Sequence, residues 1–164
     1  MILRLFMPLL LTTALFVTSA IASSLPPKAN SPEGIVSKVY KDYAWEAVMA
    51  DGGDGLMQQP PQILKQYFDE KLTSLILRDR ACSEKGGVCR LDFAPIWASQ
   101  DPAALDLKVG KADQGNIIRV QFRYPSTNEK IELKYSVTKT NQGWRISNIA
   151  GKDWSLLKIL SSPE

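Results

Sequence analysis

Beginning at Leu105, apolar side chains recur at every second position: Leu105, Leu107 and Val109, then Ile118, Val120, Phe122 and Tyr124, then Ile131, Leu133, Tyr135 and Val137, then Trp144 and Ile146. A period of two sends alternate residues to opposite faces of an extended chain, so this half of the molecule must be sheet with one apolar face. The connecting stretches KADQGN, PSTNE and TNQG carry the Asn, Asp, Gly and Pro of tight turns. Four strands in an antiparallel meander are predicted. The intervening Arg119, Gln121, Arg123, Glu132, Lys134, Arg145 and Ser147 form the other face, which is solvated or a polar interface and a candidate surface for a homodimer.

Upstream the period is helical. Ser31-Pro32-Glu33 reads as N-cap, first-turn proline and first-turn acid, and Ile35, Val36, Val39, Tyr40, Tyr43 and Ala47 follow at helix spacing to about Met49. DGGDG at 51–55 lacks the alternating ligands and closing glutamate of a calcium loop and is read as a turn. A second helix is predicted after Pro60-Pro61, with Ile63, Leu64, Tyr67, Phe68, Leu72, Leu75 and Ile76 as its stripe and Asp79-Arg80 near its end. Phe93, Pro95, Ile96 and Trp97 make a short third turn, and Trp154 to Leu160 a docking tail. The fold class is therefore α+β: two N-terminal helices and a short turn covering the apolar face of a curved four-stranded antiparallel sheet, with a cone-shaped interior.

The first residues, MILRLFMPLLLTTALFVTSAIASS, combine one early charge, an apolar run and a small-x-small site at Ala20-Ile21-Ala22. That is the pattern of a cleavable export signal over 1–22, cut near Ala22-Ser23, and it places the protein in the periplasm or outside the cell, with no membrane anchor afterwards. A lead-in over 23–34 and one domain over 35–161 follow. In such a compartment Cys82 and Cys89, the two cysteines of the chain, are expected to form a disulfide across the Gly86-Gly87 turn. Closing so short a loop contributes about 2.5 kcal/mol in the chain-entropy account. With no histidine in the chain, zinc-type centres lack their usual ligands, and neither metal nor cofactor is expected. The 20 basic and 17 acidic residues are interspersed, net +3, which argues against nucleic acid or an anionic membrane as a partner.

Two sets of side chains are candidate sites. Tyr40, Tyr43, Tyr67, Phe122, Tyr135 and Trp144, with Trp97 near the rim, would line the interior, either as packed core or as the wall of a ligand site. Asp92 and Asp101 precede prolines or turns, where aspartate caps backbone N–H groups; the sharper alternative is a pair of acid/base carboxylates.

The order of helix, helix, DFAPIWASQD turn, meander and the GWRISNI strand with SLLKIL behind it, together with VSKVYKDY and YFDEKLTSLI, resembles the nuclear transport factor 2-like fold. Within it the chain is similar to the YbjP-like family of small exported bacterial proteins, a domain of unknown function. That resemblance implies the cone-shaped fold over roughly residues 35 to 160, and no site residues. The expected function is a non-catalytic binding module for a small ligand or cell-envelope fragment. The alternatives are an inhibitor or immunity protein of a periplasmic toxin or wall hydrolase, contacting its partner through Trp97, Arg90, Arg123 and Arg145, and a pocket enzyme using Asp92 or Asp101.

Overall fold

The computed structural model describes residues 28, 30–49, 53–84 and 89–162, with backbone alone at 83–84. The expected signal segment and its cleavage site, the lead-in up to residue 27, part of the DGGDG turn and the Gly86-Gly87 turn lie outside the described residues. No helix among the described residues is long and apolar enough to cross a membrane.

Helix α1 spans Pro32–Tyr43 and starts as its sequence predicts: the Gly34 N–H donates to Ser31 Oγ at 3.0 Å, and Pro32 occupies the first turn. Its inward stripe of Val36, Val39, Tyr40 and Tyr43 is buried. The helix stops at Tyr43 rather than Met49; a 3₁₀ turn, Ala44–Ala47, takes over. Glu33 also reaches sideways, its Oε1 accepting the Ala112 N–H at 2.7 Å, which ties α1 to the sheet.

The single second helix expected from the sequence is two helices, α2 (Pro61–Tyr67) and α3 (Glu70–Glu84). The break is at Phe68–Asp69 and has a physical reason. Phe68 turns extended and bridges Ile146 in the sheet, and the Asp69 N–H donates to the Ile146 carbonyl at 3.0 Å. The Asp69 carboxylate then accepts the Leu72 N–H at 2.8 Å and restarts the helix. Apolar periodicity passes unbroken through this junction because Phe68 and Leu72 are both buried.

Strands β1 (Leu105–Ala112), β2 (Ile117–Arg123), β3 (Lys130–Thr140) and β4 (Gly143–Ala150) pair antiparallel in the order β1-β2-β3-β4. The predicted meander is present. Asn116, Asn128 and Gly143 supply positive φ in its turns. Between β2 and β3 the register is regular, and Ile118, Val120, Phe122, Leu133 and Tyr135 all turn to the buried face.

Two departures from strict alternation occur at the flanking pairs. In β4 a register shift opposite Ser136–Val137 puts Ile146 and Ile149 in the core, three residues apart, and leaves Trp144 partly buried. In β1 a shift between Leu105 and Lys108, with Asp106 at φ 55, turns Leu105 and Leu107 outward. They were expected on the apolar face; instead they are 48% and 37% exposed. Helix α4 (Leu156–Ser161) folds back under β4, with Ser155 as its cap and Leu156 and Leu160 buried. The turn leading into it needs glycine: a Cβ on Gly151 would sit 2.3 Å from Trp154 Nε1.

Candidate functional site

Six of the seven rings expected to line the interior are buried together over the sheet: Tyr40, Tyr43, Tyr67, Trp97, Phe122 and Tyr135. Trp97, expected near the rim, is 2% exposed. Its ring packs edge-on against Tyr40 at 5.2 Å and Phe122 at 5.8 Å, and Tyr40 meets Tyr135 at 6.0 Å. The hydroxyls are satisfied inside this cluster. Tyr40 donates to the Ile96 carbonyl at 2.8 Å, which leaves the Tyr135 hydroxyl as donor across the 2.7 Å contact to Tyr40. Burial pushes both phenols well above the ordinary tyrosine range, so both stay neutral.

At the helical end of the cluster Lys38 Nζ donates to Asp42 at 2.5 Å and to the Tyr67 hydroxyl at 2.9 Å, and Tyr67 in turn donates to Asp42 at 2.6 Å. Burial works against the Asp42 charge, yet these two donors hold its carboxyl below the usual range. The neighbouring Tyr43 is pushed up to about 12 by burial and by the Tyr67 phenol beside it, with Asp42 and Glu46 adding to the effect. This is a fastening between α1 and α2.

Open space lies elsewhere. Two adjoining cavities, of about 400 Å³ and about 490 Å³, sit where the 3₁₀ turn Ala44–Ala47, the 3₁₀ turn Leu56–Gln58 and the 91–102 segment converge. Both are lined by Glu46, Gln58, Ala94 and Gln100. None of the seven rings lines either one. Asp92 faces the first and Asp101 the second, so the structure brings the two predicted carboxylates to one cleft. Both are exposed, and Asp92 accepts the Gln100 side-chain amide at 3.2 Å.

Glu46 is the group that organises the cleft. Its Oε1 accepts the Leu56 N–H at 2.6 Å and its Oε2 accepts Trp97 Nε1–H at 3.1 Å, so one carboxylate joins the end of α1, the Leu56 turn and the 95–98 turn. Gly55 makes room for it: a Cβ there would lie 3.0 Å from Glu46 Oε1. Burial pushes the Glu46 carboxyl above its ordinary value, with the two donors only partly opposing. Sequence reading missed Glu46, Gly55, Gln58 and Gln100. Glu46 carried a signal: three residues past Tyr43 and seven past Val39, it is an acid on the inward stripe of the helix predicted to run to about Met49.

Behind the cleft, the Asp79 carboxylate accepts the N–H groups of Arg90 and Leu91 at 3.0 and 3.2 Å and holds the returning chain to α3. Beside it the sulfurs of Cys82 and Cys89 stand 2.8 Å apart. That is a close contact, longer than the about 2.05 Å of an S–S bond.

No protein-family model matches the sequence, and no curated protein matches it. Among solved structures, a crystal structure of a protein of unknown function from Bacteroides thetaiotaomicron VPI-5482 is similar at 15% identity and a TM-score of 0.44, over 73% of this chain and 88% of that one.

Proposed function

We propose that the protein is a non-catalytic binding module that holds a small ligand or cell-envelope fragment in the cleft beside Glu46, not within its aromatic interior. The observation that carries this reading is the convergence of two cavities on one set of lining residues, next to an interior already filled by its own rings. In this reading the chain is an exported relative of the YbjP-like family with a nuclear transport factor 2-like fold, periplasmic or secreted, with Cys82 and Cys89 oxidised to a disulfide. The helix–helix–sheet order and the closeness of the two sulfurs support it. Asp92 and Asp101 act as polar rim groups rather than as an acid/base pair, since both are exposed to water.

Native mass spectrometry of the protein purified gently from the cell that makes it tests this. A small extra mass is expected on the wild type and is absent from Gln100→Trp, which fills the shared wall from an exposed position. If the extra mass persists in that variant, the ligand is not in the cleft. A doubled mass or a bound protein in its place overturns the small-ligand reading for the interaction reading. The surface for that reading would be the outer edge of β1, where Leu105 and Leu107 are exposed. Trp97 is buried and is not available as its anchor.

A further inference from the structure

We propose that the cleft selects an organic cation: an ammonium or guanidinium group on an apolar or aromatic body, with the charge set against Glu46. This rests on the reading of the cleft as a ligand site and names the chemistry of what enters it.

The lining is of one sign. In a chain with more basic than acidic residues, net +3, the charged side chains that line the two cavities among the described residues are Glu46, Asp92 and Asp101, and no lysine or arginine among the described residues lines either one. Around these carboxylates stand apolar side chains, Met57, Leu91 and Phe93 in the first cavity and Trp45, Val48 and Met49 in the second, together with the amides of Gln58 and Gln100. An anion entering would meet three carboxylates and, among the described lining residues, no cation. A wholly apolar ligand would leave Glu46 desolvated with nothing to balance its charge.

Glu46 itself is built for the complement. Its two donors, the Leu56 amide and the Trp97 indole, are neutral, one to each oxygen. A carboxylate has about four acceptor sites, so capacity remains for a ligand N–H. No ion pair among the described residues engages it. Burial therefore disfavours its charge, and a cation placed beside it offsets a cost already present in the folded protein. Aromatic and apolar walls next to such a charge suit the body of an organic cation, which gains both the Coulomb attraction and the apolar contact.

The pH dependence follows by linkage. A cation favours ionised Glu46, so binding weakens as acid protonates it. The other groups facing Glu46 are Asp92 and Asp101 across the cleft, Tyr43 on α1 and Tyr135 on β3. The phenols stay neutral in this range.

The experiment is an NMR titration of the protein with phenethylammonium, following the Leu56 amide and the Trp97 indole N–H. Phenethyl alcohol and phenylpropionate, of similar shape, serve as the neutral and anionic probes. Phenethylammonium is expected to move both resonances to saturation. Affinity should fall about tenfold in Glu46→Gln, equivalent to one ionic contact of ordinary strength. Asp92→Asn with Asp101→Asn, both at exposed positions, should weaken it about threefold while leaving the bonds of Glu46 intact. If the alcohol or the carboxylate saturates the same resonances as tightly as the ammonium, the cleft stands as a ligand site and its selection of cations is wrong. If none of the three moves either resonance, the cation inference fails, and the native mass of the wild type then decides whether the cleft reading fails with it.

Discussion

Glu46 shows at the scale of one residue how a side chain can serve the fold and the cleft together. Its carboxylate ties three chain segments, and burial raises its pKa above the ordinary 4.5. A carboxyl raised by folding favours the folded state when protonated. That contribution is fully present below the unfolded value and is lost as pH rises through the folded one. The wild type is therefore expected to lose stability relative to Glu46→Gln as pH rises across that window, measured by urea denaturation at a series of pH values. A stability difference that does not change with pH would show that the carboxylate is solvated. Glu33 and Asp42 run the other way, held below their ordinary range by the Ala112 N–H and by the donors Lys38 and Tyr67, and the fold loses their contribution on acidification. Gly55 belongs to the same arrangement, because a Cβ there would crowd the Glu46 carboxylate at 3.0 Å and press it to shift.

Among the elements, the instructive one is the predicted second helix that the structure divides. Asp69 is both an end and a beginning: its N–H extends the contact with β4 through the Ile146 carbonyl, and its carboxylate caps α3 through the Leu72 N–H. Asp69→Ala is expected to cost about 1 kcal/mol, the usual worth of an N-cap. In a domain of this size that lowers Tm by roughly 3 °C in a thermal melt. An unchanged Tm would mean that the bridge to β4 alone starts α3. The aspartate followed by Glu70-Lys71-Leu72 was readable as a helix start, but the buried stripe on either side hid it. The same lesson applies at β1, where alternation predicted Leu105 and Leu107 inside and a bulge at Asp106 turned them out. Period alone does not reveal a bulge, since bulges answer to the pairing of a whole sheet.

At the scale of the whole molecule, the sheet, its covering helices and the cleft come from different levels of information. The proposed disulfide belongs to this scale, because it closes the loop that leads from α3 to the cleft wall. Protein from an oxidising compartment is expected to have an intact mass lower by two hydrogens, and neither Cys82 nor Cys89 should react with an alkylating reagent before reduction. Reduction should then lower Tm by roughly 8 °C, from about 2.5 kcal/mol of loop closure. Full alkylation without reductant would remove the bond from the account. The sequence by itself determined the α+β class, the four-stranded meander and the start of α1, because each follows from a local period, a cap or a turn residue repeated along the chain. Only the tertiary structure decided that the rings fill the interior and that the open space lies beside it. It alone brings Glu46, from a distant segment, to the cleft that Asp92 and Asp101 share. Such a cleft forms from the ends of elements, where the apolar period has stopped and positions are set by packing between distant segments.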